Sequence, residues 1–231
     1  AITFSNHVAS QHVHKLFDFP SEQIAVLEHA APDLEPLFPY MQGRRRTVSS
    51  RRRAAELLRE ECAKRAQPYL RDYPFEQVPY VAVSTQDRVT KNIQLVARAL
   101  QLLVRERRRD LKLLMTAPLH FEEHWTALPS LVEEALSHFD VISLPDLPRE
   151  EHAAFLHCAA VVVHPSIFEG GHAPFPFYEA VSVGTPCLMA YGPHIAELAL
   201  TEPAIREFCF DPNDADGLAD LIVATLSKRE E

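Results

Sequence analysis

Short runs of continuous apolar residues alternate with stretches of helical periodicity over residues 77–227, and this alternation constrains the fold more than any other feature. The runs lie at residues 80–84, 111–115, 141–144, 160–164 and 186–190, with a shorter one at 207–210. Strands that are apolar at nearly every position are buried on both faces, which is typical of a parallel sheet covered by helices. The sequence therefore predicts an α/β fold with a doubly wound parallel sheet.

The segments between the runs carry the helices that are expected to cover this sheet. Residues 92–107 place Ile93, Val96, Leu100 and Leu103 at helical spacing. Further helices are predicted at residues 49–66, 148–157, 176–183 and 214–227. Nearer the start, the sequence predicts a helix over residues 5–17 with Ser5 as its N-cap, a strand over residues 24–28 and a loop over residues 33–42.

Composition excludes several classes of protein. A chain of 231 residues that is 47% hydrophobic and 24% charged can bury a core, which excludes wholesale disorder. Its apolar runs are far shorter than the roughly 20 residues that cross a bilayer, and residues 1–19 lack the pattern of a signal peptide. The four cysteines form no CxxC pair and are expected to be reduced thiols of a cytosolic protein. Because the chain begins at Ala1 within an amphipathic pattern, we expect it to be a fragment.

Glycine is rare, with 6 residues against 18 prolines, and four of the glycines lie between residues 170 and 192. Gly170 and Gly171 are adjacent and connect an apolar strand to a helix. Backbone without side chains can approach a ligand closely, and amides near a helix start favour an anionic group. Ligands of doubly wound sheets bind at the carboxyl ends of the strands. This loop and the loops after Ser84 and Leu144 are therefore the predicted site.

Two glutamates flank the glycine loop. Glu169 follows the strand directly, and Glu179 lies about one turn inside the next helix. A carboxylate accepts strong, charge-assisted hydrogen bonds from the vicinal hydroxyls of a sugar ring or a ribose. The same spacing is also compatible with a strand-to-helix turn that carries two surface glutamates.

Residues 165–186, PSIFEGGHAPFPFYEAVSVGTP, resemble the signature PSxxEG…P…EA…GxPV of retaining glycosyltransferases of family 4. The resemblance implies a Rossmann-like domain, the second half of the two-domain GT-B architecture. It implies that Glu169 contacts the transferred sugar and that Glu179 binds the ribose of the nucleotide. The amides of Gly170, Gly171 and His172 are implied to contact sugar and diphosphate. Nine residues separate the glutamates here, where the family usually has seven, so this loop is longer by two.

Two further loops carry the same resemblance. Residues 84–93, STQDRVTKNI, resemble the basic loop in which an arginine and a lysine neutralise the donor diphosphate, which implies this role for Lys91 and Arg88. Many members have their arginine about five residues before the lysine, where this chain has Gln86. Residues 144–151, LPDLPREE, resemble the loop whose main chain contacts the nucleobase, here near Leu147.

The resemblance also implies an organisation and an activity. Residues 1–76 are expected to be a lead-in of helix, strand and arginine-rich helical segment that links to a missing N-terminal domain, and residues 77–231 to be the nucleotide-sugar-binding domain. The implied enzyme is a hexosyltransferase of polysaccharide biosynthesis. It transfers a sugar from a UDP- or GDP-sugar to a glycan, lipid or other acceptor with retention and without a metal or other cofactor. Without the acceptor domain, the fragment alone is expected to be inactive.

Two other functions start from the same residues. One alternative is a non-catalytic module that binds a nucleotide-sugar or a partner. A glycosidase also uses paired carboxylates, but it has no need of a glycine loop and basic residues suited to phosphate.

Six arginines lie within residues 44–53. They are compatible with a solvated helix start that faces the missing domain, with peripheral contact to an anionic membrane or acceptor, and with nucleic acid. No aromatic residue is interleaved and the net charge is −9, which argues against nucleic acid. We expect a cytoplasmic protein that has no nucleic-acid partner; a solvated helix start is the favoured interpretation of these arginines, and peripheral contact with the inner membrane face stays an alternative.

Other histidines and the tryptophan have simpler interpretations. His120 and His124 have the spacing of a helical zinc site, but the segment HFEEH is not HExxH and no third ligand is suggested, so we expect an exposed helix and no metal. His7, His12 and His14 are expected at a solvated surface, and Trp125 in the core or at its rim.

Overall fold

The computed structural model describes residues 1–41, 43–65, 68–107, 110–119, 130, 132, 136, 139–171 and 173–228. Two strands near the start, β1 (Ile2–Thr3) and β2 (Ala25–Val26), form a small parallel sheet. The main sheet has six strands: β3 (Tyr80–Val83), β4 (Lys112–Met115), β5 (Val141–Ser143), β6 (Val161–His164), β7 (Cys187–Ala190) and β8 (Cys209–Phe210).

The main sheet is parallel throughout, in the order β5-β4-β3-β6-β7-β8. The order reverses between β3 and β6, which are neighbours in the sheet with Val81 opposite Val161 and Ala82 opposite Val162. Every residue of β3, β6 and β7 is buried. The prediction of a doubly wound parallel sheet is confirmed, and its switch point lies at the carboxyl ends of β3 and β6.

The described helices agree with most of the sequence patterns. They are α1 (Lys15–Phe17), which continues a wider helical stretch over Val8–His14, α2 (Val48–Lys64), α3 (Pro68–Arg71), α4 (Ile93–Gln101), α5 (Arg149–Cys158), α6 (Phe175–Ser182), α7 (Pro193–Thr201) and α8 (Ala215–Ser227). Helix α4 runs on into a wider stretch over Leu102–Glu106. The sequence after Met115 also favours a helical region up to His138, most of which lies outside the described residues.

Alternate residues of each strand point to opposite faces, so the sheet has two hydrophobic layers. Ala82 and Val162 belong to the layer that includes α2, α5 and α6. Val81 and Val163 belong to the layer that includes α4 and α8. Each layer excludes water from one face of the sheet, which explains why the strands are apolar at nearly every position.

The arginine-rich segment packs on α5 and belongs to one of the two hydrophobic layers of the sheet. A capping box between Thr47 and Ser50 starts α2, and the buried face of this helix, which includes Leu58, joins the layer that contains Tyr80. Phe38 and Phe75 are in the same layer. Residues 34–75 thus contribute to the core that supports the sheet, while the domain boundary at residue 76 stays a prediction.

Helix α7 has no counterpart among the predicted elements. It begins after Gly192 with Pro193 in its first turn and buries Ile195, Leu198 and Ala199 at helical spacing. Proline is favoured at the first position of a helix, so Pro193 is the sequence signal that identifies it.

The cysteines and the helix lengths agree with the sequence. All four cysteines are free thiols, and three of them are buried. Within the described ranges, no helix combines the length and the apolar character that spanning a membrane requires.

Candidate functional site

Two adjoining cavities open at the switch point of the sheet. One, of about 450 Å³, is lined by residues that include Arg88, Lys91 and Leu147. The other, of about 360 Å³, is lined by residues that include Lys91 and Glu169. Lys91 and Thr85 line both cavities, so they stand at the boundary between the two. The structure therefore brings together residues that the sequence analysis predicted from three separate loops.

A further cavity, of about 420 Å³, lies at the opposite edge of the sheet. Its lining includes Pro79, Leu111 and Ala160, which directly precede β3, β4 and β6. Ligands of doubly wound sheets bind at the carboxyl ends of the strands, so this cavity is at the wrong edge for the predicted chemistry.

Lys91 is held by a short, well-anchored turn. Residues Val89–Lys91 form one helical turn, and Asn92 then adopts a left-handed conformation with φ of 48° before α4 begins. The side-chain amide of Asn92 donates to the carbonyl oxygen of Pro212 at 2.9 Å. The backbone N–H of Ile167 donates to the carbonyl oxygen of Thr90 at 3.0 Å, which ties this turn to the loop after β6.

Glu169 receives two donors on one oxygen. The Lys91 ammonium lies 2.5 Å from Oε1 of Glu169, and Nε2 of His164 lies 2.9 Å from the same Oε1. Burial alone raises the pKa of the Glu169 carboxyl, but the hydrogen bonds from His164 and Lys91 outweigh it and lower the pKa to about 2. Glu169 is therefore a carboxylate at neutral pH.

Three histidines near the cavities were missed in the sequence analysis. His164 is only 2% exposed, and burial lowers its pKa although Glu169 acts in the opposite direction. His194 in α7 is also 2% exposed, and burial lowers its pKa to about 4. His152 in α5 lines the larger cavity, and its Nε2 is hydrogen-bonded to the Ser84 hydroxyl at 2.9 Å. Burial lowers the pKa of His152 to about 4. His164 could have been identified as a site residue from the sequence, because it ends a predicted strand at the edge of the sheet where ligands bind.

The glycines of the long loop differ in their surroundings. A Cβ atom at Gly170 would meet open space, whereas one at Gly171 would collide with the imidazole of His29. The close approach at Gly171 is thus to a side chain of the same chain. His172 lies outside the described residues, so its predicted contact stays a prediction.

Leu147 is positioned by the end of α2. Arg65 donates to the carbonyl oxygens of Pro145 and Asp146, the second at 2.8 Å, and is itself paired with Glu61 at 2.8 Å. Asp146 has a positive φ of 52°, which turns the chain toward the cavity. The loop predicted to face a nucleobase is therefore anchored at two carbonyl oxygens.

Glu179 stands apart from Lys91 and Glu169. It lies inside α6, as predicted, but it is not among the residues that line the two cavities. Burial raises the pKa of its carboxyl, and the nearby Arg149 opposes this effect. Among the described residues, Glu169 and Glu179 thus do not line either of these two cavities together, and the ribose contact of Glu179 stays a prediction.

A family model for the glycosyl transferases group 1 matches residues 79–228. The chain belongs to this family. No curated protein is significantly similar to it in sequence. Solved structures of similar fold include HepE of Anabaena in complex with UDP-glucose, at 14% identity and a TM-score of 0.71 over 99% of this chain and 54% of that one. A glycosyltransferase from Rickettsia africae ESF-5 has 17% identity and a TM-score of 0.66 over 98% of this chain and 52% of that one.

Sucrose-phosphate synthase from Thermosynechococcus elongatus is similar at 18% identity and a TM-score of 0.66, over 99% of this chain and 49% of that one. The chain therefore spans about half the length of these solved structures. At these identities the likeness shows a common fold, the Rossmann-like domain of GT-B glycosyltransferases.

Most of the arginines in residues 44–53 contact other residues of the chain. Arg44 pairs with Asp33 and Glu35. Arg46 and Arg51 donate to backbone carbonyl oxygens, those of Cys158 and Glu76 respectively. Arg53 pairs with Glu56 and lies over the ring of Tyr40. Arg45 and Arg52 are exposed. These arginines thus make more contacts within the chain than a solvated helix start would.

The remaining histidine predictions have mixed outcomes. His7 and His12 are half-buried, and the ring of His12 stacks on Phe168 at 5.4 Å, so of these three only His14 is exposed as expected. His120, His124 and Trp125 lie outside the described residues. The expected absence of a metal accordingly stays a prediction.

Proposed function

We propose that this chain is the nucleotide-sugar-binding domain of a retaining, family 4 glycosyltransferase. The donor is a UDP- or GDP-hexose, no metal takes part, and the acceptor is a glycan or a lipid-linked glycan. One observation carries the proposal: a lysine that lines both cavities at the switch point pairs with a carboxylate whose pKa is about 2. A cation for diphosphate and an anion for sugar hydroxyls thus stand side by side.

The chemistry assigns each group a role. In transfer, the bond between the anomeric carbon and the phosphate oxygen breaks, its electron pair stays on the diphosphate, and the sugar joins an acceptor hydroxyl, which releases its proton. Lys91, Arg88 and the amides of the glycine loop stabilise the growing charge on the diphosphate. Glu169 accepts hydrogen bonds from the sugar hydroxyls and orients the ring.

The larger cavity is the proposed place of the nucleoside. Leu147 and His152 line it beside Arg88, so a base seated there would leave its diphosphate next to Lys91. Glu179 is proposed to bind the ribose, for which its carboxylate would have to face the bound nucleotide. HepE was solved with UDP and with UDP-glucose, which makes these two compounds the first probes for this chain.

The acceptor side of the proposal rests on the family resemblance alone. Polysaccharide biosynthesis at the cytoplasmic face of a membrane, and a separate acceptor domain, follow from that resemblance. Contact of residues 44–53 with an anionic membrane stays a prediction, and the ion pairs of Arg44 and Arg53 leave less free charge for it.

Titration with UDP, UDP-glucose, GDP and GDP-mannose by calorimetry tests donor binding. Replacing Lys91 with Ala is expected to lower the affinity for the bound nucleotide-sugar about 10- to 100-fold, since a charged hydrogen bond contributes about 1.5 to 3 kcal/mol. Lys112→Ala is the matched control, because Lys112 pairs with Asp140 at the amino end of β4, away from both cavities. Unchanged affinity in Lys91→Ala would contradict the assignment.

Turnover distinguishes the enzyme from the non-catalytic alternative. In the full-length protein, Lys91→Ala is expected to lower the rate of transfer about 10²- to 10³-fold, the loss typical of removing one preorganised donor. Nucleotide-sugar binding without any transfer by the full-length protein would favour a binding module instead. Retention is read from the anomeric configuration of the product.

A further inference from the structure

Lys91 has two partners in the proposed function, Glu169 and the donor diphosphate, but within the described part of the chain its ammonium pairs with Glu169 alone. Its ammonium is paired with Oε1 of Glu169 at 2.5 Å, whereas transfer requires it to face a diphosphate. Lys91 is about one-fifth exposed and ends a short turn, so its side chain reaches the cavities from the rim. Binding of the donor would draw the ammonium from Glu169 toward the phosphates.

Glu169 would then depend on its second donor. Burial raises the pKa of this carboxyl, so a Glu169 that lost every donor would tend to take up a proton and lose its capacity as an acceptor. The imidazole of His164 remains on Oε1 at 2.9 Å. It is fixed at the end of β6, and the turn that returns Glu169 to it is closed by the Ser166 hydroxyl, which donates to the carbonyl oxygen of Phe168 at 2.9 Å.

His164 is built to donate while remaining neutral. A carboxylate only accepts, so Nε2 carries the proton. A second proton would have to reside on Nδ1, which is buried with no hydrogen-bond partner among the described residues. The groups that face His164 are Glu169 from its own loop, Lys91 from the turn before α4 and His194 from α7; burial and Lys91 lower the pKa of His164, and Glu169 raises it.

We propose that His164 is a positioning residue that holds Oε1 of Glu169 while Lys91 moves from Glu169 to the donor diphosphate, which leaves Oε2 free for the sugar. This inference rests on the proposed function. The two partners of Glu169 then behave differently when the donor binds: the buried His164 keeps its hydrogen bond to Glu169, and the more exposed Lys91 gives up its own. A purely structural His164 would stabilise the fold without discriminating between a nucleotide and its sugar conjugate.

The test compares His164→Leu and His164→Gln with His194→Leu. His194 has the same exposure of 2%, and neither of its ring nitrogens has a hydrogen-bond partner among the described residues. Affinities for UDP, UDP-glucose, GDP and GDP-mannose are measured by calorimetry between pH 5 and 8, and thermal unfolding shows that each variant is folded. The amide nitrogen of Gln can replace Nε2 as the donor, so His164→Gln tests for rescue.

We expect His164→Leu to lose about tenfold in affinity for the sugar conjugate, which is the effect of losing one charged hydrogen bond. This loss is larger at pH 5 than at pH 8. For the free nucleotide, the affinity falls by less than about twofold. His164→Gln restores most of the preference for the conjugate, and His194→Leu keeps it. An unchanged preference in His164→Leu overturns the inference alone. An equal loss in His194→Leu does the same, because packing would then explain it.

Nitrogen chemical shifts of His164 in the free protein test the arrangement without any ligand. We expect a neutral ring protonated on Nε2 at pH 7 to 8 that takes up its second proton only at a lower pH than a free imidazole, and a ring that is already charged at pH 7 or protonated on Nδ1 overturns the inference. If the shifts agree but the wild-type chain binds none of the four probes, the proposed function has failed and the role of His164 in it fails with it.

Discussion

Gly184 ends helix α6 in a conformation that disfavours any other residue. Its φ is 75°, its N–H donates to the carbonyl oxygen of Val181 at 3.0 Å, and the next amide, of Thr185, donates to that of Ala180 at 2.9 Å. A Cβ atom at this position would collide with the carbonyl oxygen of Arg44. The glycine therefore serves both the helix end and the close approach of the arginine-rich segment.

We expect Gly184→Ala to destabilise the chain by about 3 kcal/mol, because left-handed strain of about 1 kcal/mol adds to the cost of overpacking against backbone. Gly43→Ala is the matched control, since Gly43 has a φ of 59° but a Cβ atom there meets nothing within 4 Å. Urea unfolding of both variants separates the two effects. Equal losses would mean that contact with Arg44 costs nothing.

At the scale of single residues, the sequence singled out Lys91 and Glu169 as site candidates but could not predict that they pair. These residues are 78 positions apart, and their contact depends on β3 and β6 becoming neighbours in the sheet. The burial of His164 and His194 likewise depends on packing between distant segments. Local patterns carry no information on such contacts, which is why the ionisation of the site could be determined only from the structure.

Helix α2 depends on Ser50 for more than its own start. The Ser50 side chain completes the capping box with Thr47, and its hydroxyl also lies 2.8 Å from Nε2 of His157 in α5. Nδ1 of His157 donates a hydrogen bond to the carbonyl oxygen of Val183 at 2.7 Å. Nε2 of His157 therefore accepts the hydrogen bond that the Ser50 hydroxyl donates. One hydroxyl thus links the start of α2 to α5 and, through His157, to the end of α6.

Ser50→Ala is expected to lower the free energy of unfolding by about 2 to 3 kcal/mol, because it removes the acceptor of the Thr47 N–H, which is the Ser50 half of the capping box, and the donor to a buried nitrogen. Thr47→Ala removes the cap alone and is expected to cost about 1 kcal/mol. Ser49→Ala, at an exposed neighbour in the same helix, is the control. Chemical denaturation measures all three, and a Ser50 variant no weaker than the Thr47 variant would argue against the link to His157.

At the scale of elements, prediction succeeded where burial makes the pattern simple. The strands of the main sheet are buried on both faces, so their apolar runs marked them within one or two residues. Helix α7 was missed because it follows β7 after only two residues and its apolar positions continue the apolar content of the strand. The boundary between such elements depends on Gly192 and Pro193 rather than on hydrophobicity.

The whole molecule buries several histidines near one edge of its sheet, and this couples its stability to pH. Burial lowers the pKa of His152 and of His194 to about 4, and lowers that of His164 as well. An unfolded chain binds a proton at each of these histidines below about pH 6.5, whereas in the folded chain His152 and His194 do not bind it until about pH 4, and His164 binds it only at a pH below that of the unfolded chain. Stability therefore falls as the pH falls through this window.

Each buried histidine contributes up to about 1.4 kcal/mol per pH unit to this slope. Between pH 6.5 and 4.5 we expect the free energy of unfolding to decline by about 2 to 4 kcal/mol, because exposure of His152 and relaxation of the fold reduce the full effect. Glu169 acts in a lower window: its pKa is depressed to about 2, so the stability it contributes is present above about pH 4.5 and is lost as the pH falls toward 2.

Urea unfolding at half-unit steps from pH 7 to 4 measures the slope, and His194→Leu identifies one of its sources. Removing a histidine that the folded state keeps neutral removes one proton from the difference between the two states, so the variant is expected to lose stability less steeply than the wild type between pH 6.5 and 4.5. Its stability relative to the wild type should therefore improve on the acid side. A wild-type curve that is flat across this window would show that the three histidines stay accessible to protons in the folded chain.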